Sequence, residues 1–372
     1  MNPFHPGADR SGFFDWASTA PLSTAARQAM ADFGAALESA PCPPDFLTEA
    51  TAALDSLRAL LRRLCGAPPT WDVVLTRGVA ESASIIAAGI GAPPGASVVV
   101  DAAAHEAAVL PWAARPGLDL RTVPGRPHLD PERAAPLIDE STVAVCASHV
   151  THLDGAVQPV RELAAIARAR SGALVVVDGA QAAGNVPVDV RTLGADIYLG
   201  SGRKFLLSPL GTGFILARPG LLTRVAPLVL STRAAVLHRD ADGRWRRAPG
   251  QAGLPRALEG NLPDLRCLAG LSASVQAYLG ADAARLAGRR RRLTEMLSER
   301  LAETTFRCLH PPGAGIVRLA SPRVADHLHV KRALARTGVF LAATTAWIRV
   351  SLHAANSEND VHRLTGCLKE LE

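Results

Sequence analysis

Between residues 70 and 220, short apolar runs rich in β-branched residues alternate with stretches of helical periodicity. The runs fall at 73–75, 97–101 (SVVVD), 143–146, 174–178 (LVVVD), 197–199 and 213–216. Several are apolar throughout rather than alternating, as strands covered on both faces must be. The clearest helix lies between them at 159–170 (PVRELAAIARAR), where Pro opens the helix and Val160, Leu163, Ile166 and Ala167 form one apolar stripe. Such alternation predicts right-handed βαβ units and a mostly parallel sheet. Ligands of that architecture bind at the carboxyl ends of the strands.

The pattern changes after residue 220. Residues 232–257 are rich in Arg, Asp, Gly and Pro with little periodicity and read as a long loop. From Asp264 on come two long helical stretches (LRCLAGLSASVQAYL and RRRRLTEMLSERLAE), strand candidates near 315–319 and 347–350, and a helix from Glu358. A chain of 372 residues is more than one core usually organises. The expected division is a large α/β domain at 17–255 and a smaller α+β domain formed by 1–16 and 256–372.

Composition removes several functions. The formal charge is only +6, and the cations are almost all Arg; Lys204, Lys331 and Lys369 are the only lysines. The sole basic tract is 289–292, read as a helix start and a solvated face or as salt bridges with Glu295 and Glu299, so no nucleic-acid partner is expected. No apolar run approaches the roughly 18 residues of a membrane span, and the start, MNPFHPGADR, lacks the cationic and apolar regions of a signal peptide. Six cysteines without a CxxC pair suit a reducing compartment, so a cytoplasmic location is expected, with neither disulfides nor a cysteine zinc site. The spacings His149-x-x-His152-x-Asp154 and His327-x-His329 could ligate a metal, but two histidines without a third ligand are weak evidence; ordinary structural roles are expected and no metal.

Chemistry concentrates at two strand ends. Asp178 closes LVVV and precedes Gly-Ala-Gln; Lys204 stands at the end of SGRK, directly after another strand candidate. An aspartate there can equally be a helix cap, and a lone lysine is usually a solvated surface residue. Lysine is rare in this chain, however, and this one sits between apolar IYLG and FLL. Desolvation lowers an amine's pKa and frees it as a nucleophile. Together the two sites supply what pyridoxal 5'-phosphate requires: an amine for the Schiff base and a carboxylate to keep the pyridine nitrogen protonated. Ser201 and Arg203 suit the phosphate, as does the helix start after Thr76-Arg77-Gly78.

These residues stand in a wider pattern. The stretch from SHVTHLDG through VVVDGAQ and YLGSGRKFLLSPLGTG resembles the core of the class V aminotransferase family, which has the fold-type-I pyridoxal-phosphate architecture and includes cysteine desulfurases, isopenicillin N epimerase and hercynylcysteine-sulfoxide lyase. FFDWASTAPLSTAARQAM, TRGVAES, HEAAVLPW, LEGNLPDLRCLAGL and IRVSLHAANSENDVHRL resemble further landmarks, so the likeness covers nearly the whole chain. It implies Lys204 as the Schiff-base lysine and Asp178 as partner of the pyridinium nitrogen. Gln181 would bond the ring's phenolic oxygen and His105 would stack on the ring. Ser201, Arg203 and the amides of Gly78, Val79 and Ala80 would hold the phosphate. Arg349 would take the substrate's α-carboxylate, for which a bidentate guanidinium is the sensible partner.

Departures from the family pattern shape the expected reaction. Where desulfurases carry a cysteine, residues 336–343 read RTGVFLAA. Arg203 replaces the usual histidine before the lysine, and His152 stands where desulfurases have asparagine, close to the ring. Val79 and Ala80 replace hydroxyl residues, and Leu262 replaces a threonine that reaches the partner subunit's phosphate. The expectation is a homodimeric enzyme acting on an amino acid by Cα deprotonation, with Lys204 as base and the carbanion spread into the ring. The first choice of outcome is carbon–sulfur cleavage of a cysteine-derived conjugate, by a lyase that is not a persulfide-forming desulfurase. Epimerisation and transamination are the alternatives.

Overall fold

The computed structural model describes residues 11–125, 127–231, 237–247 and 255–371. Two helices come first, α1 (Thr24–Ser39) and α2 (Phe46–Leu64), and both pack against a later helix at Leu265–Leu279. The Ser23 hydroxyl caps α1 by accepting from the Ala26 amide at 3.0 Å. Seven strands then form one sheet: β1 (Asp72–Thr76), β2 (Ser97–Asp101), β3 (Asp119–Val123), β4 (Thr142–Ser148), β5 (Leu174–Asp178), β6 (Ile197–Ser201) and β7 (Gly213–Ala217). Their spatial order is β1-β7-β6-β5-β4-β2-β3. The neighbours from β6 through β3 run parallel, whereas β7 is antiparallel to both β6 and β1. Because β7 reverses direction twice over, β1 points the same way as β6, and its carboxyl end lies on the same edge as the others. The connections include α3 (Val79–Gly89), α4 (Glu106–Ala113), α5 (Pro131–Ala134), α6 (Val160–Arg170) and α7 (Val190–Leu193).

The expected mostly parallel sheet is present, and its strands are buried for the reason their composition implies. Val73, Leu75, Val99, Val145, Val175 and Val177 face a core shared with α2 and α6. The alternate positions Val74, Val98, Val100, Ala144, Val176 and Leu199 face a second core shared with α3 and α4. Period-two alternation thus feeds both faces, and each fully buried Val or Leu contributes about 1.5–3 kcal/mol of apolar transfer. The edge strand β3 was not anticipated. Its sequence, DLRTV, is half exposed, and Arg121 spends its charge on Asp119 and Asp139 rather than presenting an apolar run.

Within 232–257, a hairpin of β8 (Leu237–Arg239) and β9 (Trp245–Arg247) replaces part of the expected loop, with the Arg239 guanidinium 4.7 Å over the Trp245 ring. Residues 232–236 and 248–254 lie outside the described residues. Beyond them come α8 (Leu265–Leu279) and α9 (Ala283–Leu301). A fully antiparallel sheet follows in the order β10 (Arg307–Cys308), β11 (Ile316–Ala320), β13 (Ile348–Ser351), β12 (Ala342–Ala343), together with α10 (His327–Arg336) and α11 (Glu358–Glu370). A third apolar cluster of α9, α10, α11 and this sheet contains Phe14, whereas Trp16 belongs to the first cluster. The segment at residues 13–17 therefore stitches two cores together.

Residues 289–292 lie inside α9 rather than at a helix start; Arg289, Arg291 and Arg292 are exposed as expected, and Arg290 is the exception. Arg290 on α9 is buried beside Tyr278, and burial lowers its pKa to about 10. Gly315 makes room for it: the residue has φ +74°, and a side chain there would strike the arginine's methylenes. No described helix is long and apolar enough to cross a membrane.

Candidate active site

The carboxyl edge of the large sheet collects the predicted residues from five strand ends, those of β1, β2, β4, β5 and β6. β5 ends at Asp178, whose Oδ1 accepts from the Ala180 amide at 2.9 Å. Gly179 follows because a Cβ there would fall 2.2 Å from the Tyr198 hydroxyl on β6. β6 ends at Ser201, and Gly202 and Arg203 lead to Lys204, which is 7% exposed. Burial is the main force on its amine and lowers the pKa to about 8; Asp178 opposes the shift, while Arg203 and Arg349 add to it. Two guanidinium groups and one carboxylate therefore surround the amine. At neutral pH about a tenth of a group with such a pKa is the free base, where an ordinary lysine has almost none.

The turn from β1 into α3 is built for an anion. Gly78 has φ +151° and ψ 178°, a region open essentially to glycine alone. No side chain caps the helix that starts at Val79, so its first amides and dipole face outward. Thr76 and Ser82 bond each other through their hydroxyls at 2.8 Å. Gly213 of β7 backs the turn, since a Cβ there would approach Gly78 Cα to 2.6 Å. On the other side Ser201 is buried, and Arg203 Nε is buried with no hydrogen-bond partner among the described residues. A phosphate group meets that demand.

Two histidines stand close to Lys204. His105 caps α4 through Nδ1, which accepts from the Ala107 amide at 3.1 Å. Burial and the Lys204 charge lower its pKa, against Asp178 and Glu106, so the imidazole is held neutral. The His152 ring lies edge-on to it, with centroids 4.8 Å apart. Gln181 is anchored by its Nε2 donating to the Ala17 carbonyl at 3.0 Å, while its buried Oε1 has no partner among the described residues. The hydroxyl of a pyridoxal ring is a fitting donor for that oxygen.

Arg349, on β13, is brought to the same place from the far end of the chain. Its Nη1 donates to the His152 carbonyl at 3.0 Å, and its Nη2 donates to Asp15 Oδ1 at 3.1 Å and Ser18 Oγ at 2.6 Å. Its Nε is buried with no partner among the described residues. Asp15 and Ser18 were not anticipated. They lie inside the FFDWAST stretch, but nothing in that spacing marks them as neighbours of a residue more than 330 positions away.

The histidine spacings considered for a metal disperse. His149 Nδ1 pairs with the Tyr198 hydroxyl at 3.2 Å, and burial lowers its pKa to about 4. Asp154 forms a buried ion pair with Arg318 of β11 at 2.9 Å. His327 accepts from the Ser321 amide through Nε2. No group of three or more His, Cys, Asp or Glu suited to a metal occurs among the described residues.

A family model described as Aminotransferase class-V matches residues 12–364. The chain belongs to the aminotransferase class-V family. The family's cofactor is pyridoxal phosphate, and the buried lysine, the uncapped helix start and the partnerless Gln181 and Arg203 atoms fit it. A curated relative from Aeropyrum pernix, a probable cysteine desulfurase, is 30% identical over 364 residues, covering 87% of this chain and 84% of that protein. The apo structure of a cysteine desulfurase from Thermococcus onnurineus has a TM-score of 0.86 at 24% identity, covering 99% of this chain and 96% of that one. A C-DES mutant with glycine covalently linked to its PLP cofactor has a TM-score of 0.88 at 22% identity, covering 100% and 99%. At these identities the structures speak for the fold, which is the fold-type-I architecture expected.

The expected reaction needs correction. A lyase set apart from persulfide-forming desulfurases conflicts with relatives that are named cysteine desulfurases, among them proteins 26% identical across 87% of the chain. That expectation leaned on one segment, 336–343, and on the arginine before Lys204. One segment does not outweigh similarity along the whole chain.

Proposed function

We propose that this chain is a pyridoxal-phosphate enzyme of the cysteine desulfurase type. Its reaction converts cysteine and an acceptor thiol into alanine and a persulfide. The Cβ–S bond breaks, an S–S bond forms, and hydrogen replaces sulfur on Cβ, so no outside oxidant or reductant is needed. The observation that carries this reading is the Lys204 amine, buried and lowered to about 8 between Asp178, Arg203 and Arg349, in a chain whose relatives carry that name.

When bound, the cofactor supplies an electron sink for the charge left at Cα. Every other part of the work falls to the chain's own residues. Lys204 Nζ would hold the cofactor and, when free, would take the proton from Cα as a general base of suitable pKa. The Asp178 carboxylate keeps a proton on the ring nitrogen. Arg203, Ser201 and the amides at Gly78, Val79 and Ala80 fix the phosphate. His105 would stack on the ring, where its lowered pKa adds no competing charge, and the His152 ring stands edge-on to it. Gln181 anchors the ring's oxygen, and Arg349 orients the amino acid by its carboxylate. Prearranged charges of this kind act without reorganising during the reaction.

We also propose a homodimer in the cytoplasm. Leu228, Val229, Leu230 and Leu262 are large apolar side chains left exposed, which a partner subunit would cover. The division into 17–255 and 1–16 with 256–372 is carried as a proposal too; α8 is the shared element, since it packs on α1 and α2.

The test is direct. Purified protein loaded with pyridoxal phosphate and given cysteine with excess dithiothreitol should release alanine and sulfide in equal amounts. Pyruvate and ammonia in their place, or no turnover of cysteine, would overturn the proposal.

A further inference from the structure

The segment at residues 13–18 runs beside β13 as an irregular extra strand. The Phe14 amide donates to the Phe340 carbonyl at 2.7 Å, the Ser351 amide donates to the Phe14 carbonyl at 2.8 Å, and Asp15 bridges Ser351 in parallel register. Ser351 and Arg349 are two residues apart on one strand and share a face. That register sets Asp15 beside the arginine.

The result is a short directional relay. Arg349 Nη2 donates to Ser18 Oγ at 2.6 Å, the Ser18 hydroxyl donates to Asp15 Oδ1 at 2.7 Å, and Nη2 also donates to Asp15 Oδ1 at 3.1 Å. The arginine side chain is 9% exposed and the aspartate 26%. A guanidinium has five N–H donors and a single charge. Here Nη2 is committed to the N-terminal segment and Nη1 to the His152 carbonyl, while Nε has no partner among the described residues. An arriving carboxylate can take Nε, but a two-point grip through Nη2 must share that nitrogen with Asp15. It also meets a guanidinium whose charge a carboxylate already offsets.

We infer that Ser18 and Asp15 are positioning residues that set the enzyme's selectivity for an α-carboxylate: Ser18 aims the Arg349 guanidinium, and Asp15 competes for it. The inference rests on the proposed assignment of Arg349 to the substrate carboxylate. Asp15 keeps the grip weak enough to release the amino-acid product, and Ser18 keeps it directed. Both residues act through Arg349, not on the reacting atoms.

The experiment compares L-alanine with L-alaninamide, which has the same size but no carboxylate charge. Binding to the cofactor-loaded protein is titrated by the change in the cofactor's absorbance. Wild type should prefer alanine. Asp15→Asn keeps an acceptor and removes the charge, so it should tighten alanine binding by about fivefold, the size expected of a partly exposed charge, and leave alaninamide unmoved. Ser18→Ala should weaken alanine by a similar factor, and Ser18→Thr should restore it. With cysteine as substrate the same variants should move KM more than kcat. The inference is overturned if Asp15→Asn shifts alanine and alaninamide together or shifts neither, or if wild type shows no preference between them. Release of alanine and sulfide from cysteine by wild type, measured alongside, separates failure of the inference from failure of the proposed activity.

Discussion

The two sides of the site are made in opposite ways. The side at the large sheet consists of turns that leave strand ends: 76–80 after β1, 102–105 after β2, 149–152 after β4, 178–181 after β5 and 201–204 after β6. Each turn carries its chemistry within a few residues; Gly78 adopts a φ of +151°, and glycines at 179 and 202 make close approaches possible. The side at the small sheet consists of Arg349 with Asp15 and Ser18, which meet across more than 330 residues. The first side depends on local geometry and on a sheet buried on both faces. The second depends on the N-terminal segment staying paired with β13.

Changes on each side should therefore fail differently. Lys204→Ala should lower turnover of cysteine by about ten-thousandfold, at the upper end of what a single acid–base group contributes, with the thermal midpoint hardly changed. Activity and melting measured on the same sample would check it. Asp154→Ala removes half of the buried pair that ties the loop after β4 to β11. It should destabilise the protein by about 3 kcal/mol, seen as a lower urea midpoint, because Arg318 loses its counter-charge. Arg349→Ala should reduce kcat/KM for cysteine by about a hundredfold, as when a buried charge loses its partner, while cofactor binding holds. A change of affinity for pyridoxal phosphate as large as the kinetic loss would break the separation between the two sides.

Smaller effects sharpen the same comparison. Tyr198→Phe leaves the buried His149 nitrogen without its hydroxyl and should cost about 1–2 kcal/mol in chemical denaturation. A pH series tests the electrostatics. Only the neutral amine of Lys204 attacks an aldehyde, so cofactor capture by the apoprotein should speed up as pH rises through about 8 and then level off. Continued acceleration toward 10.5, the ordinary lysine value, would mean that burial does not shift this amine.

The sheet side was legible because its information is local. Apolar runs such as SVVVD and LVVVD announce buried parallel strands, and DGAQ and SGRK stand at their ends. β3 escaped notice because an edge strand need not be apolar, and β10 and β12 because two-residue strands leave no periodicity to read. Arg290 looked solvated because charge was read without the space that Gly315 opens for it. Asp15 and Ser18 were invisible for a different reason: their role exists only after β13 and the N-terminal segment pair. The reaction was misjudged because the segment at 336–343 without cysteine, together with Arg203 before Lys204, was given more weight than the whole chain's resemblance allows.

The central claim is that Lys204 carries the cofactor covalently. The chain has only three lysines, so the site of attachment can be read without ambiguity. Borohydride reduction of the loaded protein, followed by mass mapping of its peptides, should place one reduced pyridoxyl phosphate on the peptide containing Lys204. A label on Lys331 or Lys369 instead, or no label on any peptide, would contradict the account.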